Sequence, residues 1–262
     1  MPQTKLKNMA AGNAWTDRVR FPRLNPEVDQ HEEYCEALLD GTWTKVRMHE
    51  YATLFSHPGF YETLFYDLLA CDSPRRVVGL LAEVQADLGA SPLRVLDVGA
   101  GNGLVGESLK GIGVAERYGI DILPEAREAA ERDRPGLYHE YLVADLCNLN
   151  ADQRATLTAA RLNCLTCVAA LGFGDIPAEA FVSAVNFVED GGLIAFNIKE
   201  VFLDERYNFG FSALIRTLLA RKIFRLEASR RYRHRLSSQG QPLYYLAMVV
   251  TKQGPVPSGL AI

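Results

Sequence analysis

The sequence contains no apolar stretch of the roughly 18 residues that a membrane-spanning helix requires. Its longest mainly apolar runs, near Leu162 to Phe173 and Leu243 to Val250, fall well short, so no transmembrane segment is expected. Compositional bias is absent too. Of 262 residues, 48% are hydrophobic and 23% charged, the range of ordinary globular domains, which excludes collagen, low-complexity fibre and wholesale disorder. There is no excess of positive charge: 28 Lys and Arg stand against 32 Asp and Glu, a net charge of -4. The chain therefore lacks the general field that draws proteins onto a phosphate backbone, and a small-molecule partner is expected rather than nucleic acid or membrane.

Cysteine is sparse. Cys35, Cys71, Cys147, Cys164 and Cys167 form an odd, scattered set in a chain large enough to fold without disulfides, and reduced thiols are expected. The first 25 residues hold Lys5, Lys7, Arg18, Arg20 and Arg23 but no apolar secretory stretch, which points to the cytoplasm. No metal site is expected, because the histidines and cysteines are not spaced as ligand pairs on one element. Cys164 and Cys167 have redox-motif spacing, but at the start of a strand positions three apart face opposite sides. They read as buried structural thiols.

What is present is organised in three parts. Residues 1 to 30, with Pro2, Pro22 and Pro26, read as an extended arm. Residues 31 to 90 read as a helical prefix, clearest at Val77, Leu80, Leu81, Val84 and Leu88, where steps of three and four mark one buried face. Asp40-Gly41 and Ser56-His57-Pro58-Gly59 are read as breaks between short helices. From 91 to about 255, short apolar runs at Arg94–Val98, Tyr118–Ile122, Tyr138–Ala144, Leu165–Leu171 and Leu193–Lys199 alternate with helices opening near Leu104, Pro124, Ala151 and Pro177. That alternation predicts a parallel sheet covered on both faces. A helix at Phe211–Arg221 and two runs, Ile223–Arg235 and Leu243–Thr251, then predict a terminal antiparallel hairpin.

The most informative stretch is Asp97-Val98-Gly99-Ala100-Gly101-Asn102-Gly103-Leu104-Val105-Gly106, a strand running into glycines and then a helix. Ligands bind beyond the carboxyl ends of such strands, and glycines admit their close approach. Two templates fit. Gly101, Gly103 and Gly106 satisfy G-x-G-x-x-G, with Asp121 where a dinucleotide site places its ribose acid. Asp97, Gly99, Gly101 and Gly103 satisfy D-x-G-x-G-x-G, whose leading acid would repel a pyrophosphate but welcome an ammonium group.

Over roughly Leu88 to Lys252 the sequence resembles the class I S-adenosylmethionine-dependent methyltransferases, of the small-molecule type with an N-terminal helical lid. Asp97 to Gly103 is similar to that family's first motif, Tyr118-Gly119-Ile120-Asp121-Ile122 to its second, and Val143-Ala144-Asp145-Leu146 to its third. The resemblance implies an α/β, Rossmann-like seven-stranded sheet of order 3-2-1-4-5-7-6, with the last strand antiparallel and an N-terminal helical extension. It implies S-adenosylmethionine as cofactor, with Asp121 on the ribose hydroxyls, Asp145 near the adenine amine, and Ala169-Ala170-Leu171-Gly172 along the methionine side. The cofactor-binding set so implied is Asp97, Gly99, Ala100, Gly101, Gly103, Asp121, Ile122, Asp145, Leu146, Ala170 and Leu171.

The sequence does not name the methyl acceptor. Ala170-Leu171-Gly172-Phe173 stands where base-methylating enzymes carry N/D-P-P-Y/F, and no Pro-Cys nucleophile is present. A small or medium-sized acceptor fits best. By resemblance its pocket would draw on the prefix and on residues 201 to 211, which are rich in aromatics: Tyr51, Phe55, Phe60, Tyr61, Phe65, Tyr66, Phe202, Tyr207, Phe209 and Phe211. No catalytic residue is obligatory; His49 and His57 are the candidate general bases, with His139 and His234 less well placed. The arginine-rich segment 216 to 235 reads as charge on an edge hairpin or as an anion site. The rival readings are an NAD(P)-dependent oxidoreductase using the same glycines, and a noncatalytic cofactor-binding partner subunit.

Overall fold

Asp40 and Gly41, at the tip of the N-terminal region, both have positive φ, 49° and 81°. This is the geometry of a two-residue hairpin turn matched to the twist of its strands. In the computed structural model, which describes residues 15–22, 29–171, 176–200, 210–257 and 259–260, the chain divides into two units, Met1–Asp72 with Arg233–Leu243 and Ser73–Tyr232 with Tyr244–Ile262.

The first unit is not the uniform set of helices that the sequence suggests. Its sheet comprises β1 (Val19–Arg20), β2 (Tyr34–Leu39) and β3 (Thr42–Arg47), in that order and antiparallel. Cys35 and Ala37 alternate inward on β2, and Val46 opposes Cys35 from β3. The described parts of the expected arm are residues 15–22, which supply a 3-10 turn and an edge strand, and residues 29–30, where a second 3-10 turn, Gln30–Glu32, opens; residues 1–14 and 23–28 lie outside the described residues. Among the described residues of this unit, the α-helices follow Glu50: α1 (Tyr51–Ser56) and α2 (Phe60–Glu62), with a π-helical turn at Thr63–Leu68. Trp15, Met48, Leu54, Phe60, Leu64 and Leu69 form the core of this unit. A buried ion pair closes it, Arg235 Nη2 lying 2.6 Å from Glu33 Oε2, with the Ser238 amide donating to Glu33 Oε1.

The second unit follows the expected alternation closely. It begins with α3 (Ser73–Leu88), whose Val77, Leu80, Leu81 and Val84 are buried. Then come β4 (Leu93–Val98), α4 (Leu104–Ser108), β5 (Val114–Asp121), α5 (Pro124–Asp133), β6 (Glu140–Val143), α6 (Ala151–Ala159), β7 (Cys164–Cys167), α7 (Ala178–Asn186), β8 (Leu193–Lys199), α8 (Gly210–Ala220), β9 (Phe224–Leu236) and β10 (Pro242–Lys252), the last residues of β9 from Arg233 and the first of β10 to Leu243 being counted with the first unit. The sheet order is β6-β5-β4-β7-β8-β10-β9. Counting this sheet's strands from β4, that is 3-2-1-4-5-7-6. β10 runs antiparallel to β8, with Ala247 opposite Asn197.

Successive side chains of β4 face opposite cores: Leu96 and Val98 pack with Phe181, Phe196 and Leu214, whereas Leu93 and Val95 pack with Leu80, Leu81 and Val249. Cys167 and Cys164 divide between the same two cores, as their spacing predicts. Phe211, grouped with the acceptor-side aromatics in the sequence, is instead core, edge-on to Phe181. Phe202, Tyr207 and Phe209 lie outside the described residues. Among the described residues, no helix is long and apolar enough to cross a membrane.

Candidate functional site

β4 is the strand at which the sheet order turns back, flanked by β5 on one side and β7 on the other, and the crevice beyond such a strand is where an open α/β sheet binds ligands. Asp97, next to last in β4, is only 1% exposed. Its carboxylate accepts two hydroxyls, Tyr138 Oη on Oδ2 and Thr166 Oγ1 on Oδ1, each at 2.7 Å. Thr166 arrives by strand register, opposite Asp97 on β7. Burial pushes the Asp97 carboxyl up to about 6, and the two hydroxyl bonds oppose that rise without cancelling it.

The glycines after Asp97 are used for close approach. Gly99 (φ +68°) leaves room for Ala170, whose Cβ lies 3.2 Å from where a Gly99 Cβ would stand. A Cβ on Gly106 would come 2.7 Å from Tyr138 Oη, so the third glycine of the dinucleotide template here admits the tyrosine that reaches Asp97. Tyr141 Oη donates to the Gly101 carbonyl at 2.8 Å, and the Gly101 amide donates to Asp121 Oδ2 at 3.0 Å. Asp121 ends β5, and its Oδ1 accepts the Leu123 amide. The loop is therefore tied to β5 and β6. Burial raises the Asp121 carboxyl as well. Beside it Ile122 is 62% exposed, an apolar surface at the crevice.

Asp97, Gly99, Gly101, Gly103, Asp121, Ile122 and Ala170 are thus assembled around the carboxyl ends of β4, β5 and β7. Asp145 follows β6, where its Oδ1 and Oδ2 accept the Cys147 amide and Asn148 Nδ2 in a local turn that holds it below the usual carboxylate range. Ala100, Leu146 and Leu171 are buried in hydrophobic clusters. Gly172 and Phe173 lie outside the described residues.

His49 and His57 belong to the first unit. His57 Nδ1 lies 2.8 Å from the Thr53 carbonyl and its ring packs edge-on to Trp15, which gives it a packing role, and His49 is edge-on to Tyr51. His234 is buried, which pushes it well below its ordinary pKa, and Arg235 adds to the shift. Several arginines of segment 216 to 235 have acidic partners, including Arg230 with Glu83 and Arg231 with Glu200. No group of three His, Cys, Asp or Glu residues placed to hold a metal occurs among the described residues.

Residues 96–196 match the methyltransferase domain family. The sheet of the second unit has the fold of the class I methyltransferases. The domain is similar to a solved S-adenosylmethionine-dependent methyltransferase from Clostridium acetobutylicum ATCC 824, at 13% identity and a TM-score of 0.51, covering 74% of this chain and 96% of that one. It is also similar to N-methyltransferase NodS from Bradyrhizobium japonicum WM9 in complex with S-adenosyl-l-homocysteine, at 13% identity and a TM-score of 0.49, covering 68% and 86%. At 13% identity the first of these likenesses is one of fold. No curated protein matches the chain. Within the second unit, the contacts of Tyr138, Tyr141, Thr166 and Asn197 with the loops after β4 and β7 and with Asp97 are not legible in the sequence. The one local signal was the pair of tyrosines three apart before and in β6, opposite the small Gly119, whose absent Cβ leaves space for Tyr141.

Proposed function

We propose that this chain binds S-adenosylmethionine and transfers its methyl group to a small or medium-sized acceptor. The observation that carries the reading is the Asp97 carboxylate, buried at the carboxyl end of β4 and held by two hydroxyls. A negative charge placed there suits the ammonium of an aminoacyl group and opposes a pyrophosphate, so the cofactor favoured is the sulfonium compound over a nicotinamide dinucleotide. The reversed strand β10 is a second departure from the dinucleotide sheet.

The residues present fit the cofactor. Asp121 retains acceptor capacity on both carboxylate oxygens beyond the two amides it already takes, enough for a pair of ribose hydroxyls. Ile122 offers an exposed apolar face for the adenine ring, and Gly99 and Gly101 let the backbone approach closely. When bound, S-adenosylmethionine supplies a methyl group already activated on a sulfonium sulfur. The protein's part is then to hold the acceptor in line and exclude water, and alignment alone can contribute about 7 to 11 kcal/mol in well-oriented cases. No residue is assigned as general base. Incubation of the full chain with isotopically labelled methyl donor and a panel of candidate acceptors, followed by mass analysis, tests the proposal; labelled product supports it, and a chain that binds the donor without turnover on any of them favours the noncatalytic subunit.

A further inference from the structure

Ala169, two residues beyond β7, has φ +59°, a left-handed conformation unfavourable for a residue with a Cβ. Its amide donates to Asn197 Oδ1 at 2.7 Å. Asn197 lies in β8 and is fully buried, and its Nδ2 donates to Tyr232 Oη at 2.7 Å and towards Ser73 Oγ at 3.3 Å. Those two hydroxyls are themselves 2.7 Å apart. A backbone amide can only donate, so Oδ1 must face Ala169, and both Nδ2 protons are then directed at the hydroxyls. Asn197 is separated by 28 residues from Ala169, 35 from Tyr232 and 124 from Ser73, so it joins the loop after β7 to β9 and to the start of α3.

The loop so held is not remote from the crevice. Ala170 follows Ala169 directly, and its Cβ occupies the space beside Gly99, two residues beyond Asp97. We infer that Asn197 is a positioning residue, supported by Tyr232 and Ser73, that fixes the Ala169–Ala170 turn against the glycine loop and so shapes the cofactor crevice. The inference rests on the functional reading above. A buried polar triad serving the fold alone would lower stability without changing the crevice.

The test compares wild type with Asn197→Leu, which removes the acceptor for Ala169 at similar size, with Tyr232→Phe as a milder variant that leaves Asn197 in place, and with Val250→Ala as a core control. S-adenosylhomocysteine affinity is measured by calorimetry on the full chain at a temperature where each variant is folded, and amide hydrogen exchange is followed across residues 168–171. The expected result is binding about tenfold weaker for N197L and about threefold weaker for Y232F, each with faster exchange at Ala169, and unchanged affinity for V250A. If N197L does not fold, Y232F carries the decision. Wild-type binding with variant affinity and Ala169 exchange unchanged, or an equal loss in V250A, overturns this inference alone. No binding by wild type overturns the functional reading and the inference with it.

Discussion

Tyr138 Oη donates to Asp97 Oδ2 at 2.7 Å across 41 positions of sequence, and it can do so because Gly106 presents no Cβ where the phenol passes. The carboxylate it meets is buried and carries a pKa pushed up to about 6, first by burial. The site is thus built around a charge that the fold alone does not favour.

Replacing Asp97 by Asn should stabilise the cofactor-free protein while weakening cofactor binding. A carboxyl whose folded pKa is raised contributes stability that is complete below its unfolded value of 3.8 and lost as pH rises through about 6. At pH 8 the buried charge costs up to about 3 kcal/mol, which Asp97→Asn relieves. Denaturant unfolding of both proteins at pH 8 and pH 4 checks the sign: the advantage of D97N appears at pH 8 and shrinks at pH 4.

S-adenosylmethionine affinity should fall as Asp97 takes up its proton. The ionised fraction of a group with pKa about 6 drops about tenfold between pH 7 and pH 5, and affinity should follow. Asp121, also raised by burial, acts in the same direction. Calorimetric titrations at the two pH values, on wild type and D97N, separate them: the pH dependence is smaller in D97N.

Tyr138→Phe removes a hydrogen bond to a charged acceptor and should weaken cofactor binding by about 1.5 to 3 kcal/mol. Gly106→Ala should produce a similar loss by displacing the same phenol, since the added Cβ would stand 2.7 Å from its oxygen. The two act through one contact, so the double variant should lose less than the sum. Additive losses would place Gly106 and Tyr138 in separate roles.

Asp121→Ala should cost about 1.5 to 3 kcal/mol of cofactor affinity through loss of the proposed ribose contact. It also removes the acceptor for the Gly101 and Leu123 amides, so faster hydrogen exchange at both amides should accompany the loss. An unchanged dissociation constant in the folded variant contradicts the assignment.

In the first unit, Glu33→Ala leaves Arg235 buried without its counter-charge; the side chains of Arg235 and Glu33 are 3% and 4% exposed. Breaking such a pair from one side costs about 3 to 5 kcal/mol. Denaturant unfolding followed by Trp15 fluorescence should register the loss, and a change under about 1 kcal/mol would show that the pair is dispensable.

The sheet was legible because its signals are local: β4 runs into glycines, Pro124 opens α5, and Asn150 with Gln153 caps α6. The N-terminal hairpin was missed although Asp40-Gly41 is a strong hairpin signal flanked by the alternation of Cys35 and Ala37. Read as a break between helices, the dipeptide lost to the helical periodicity further along the chain. The acids of the site were visible at strand ends, but what holds them was not. Tyr138, Thr166 and Asn197 stand 41, 69 and 28 residues from the groups they bond, and only strand order brings them there.

The most direct measurement is calorimetric titration of the full chain at pH 8 with S-adenosylmethionine and, separately, with NAD. Saturable one-to-one binding of the sulfonium compound with no heat from the dinucleotide is predicted. NAD binding without a response to S-adenosylmethionine would contradict it.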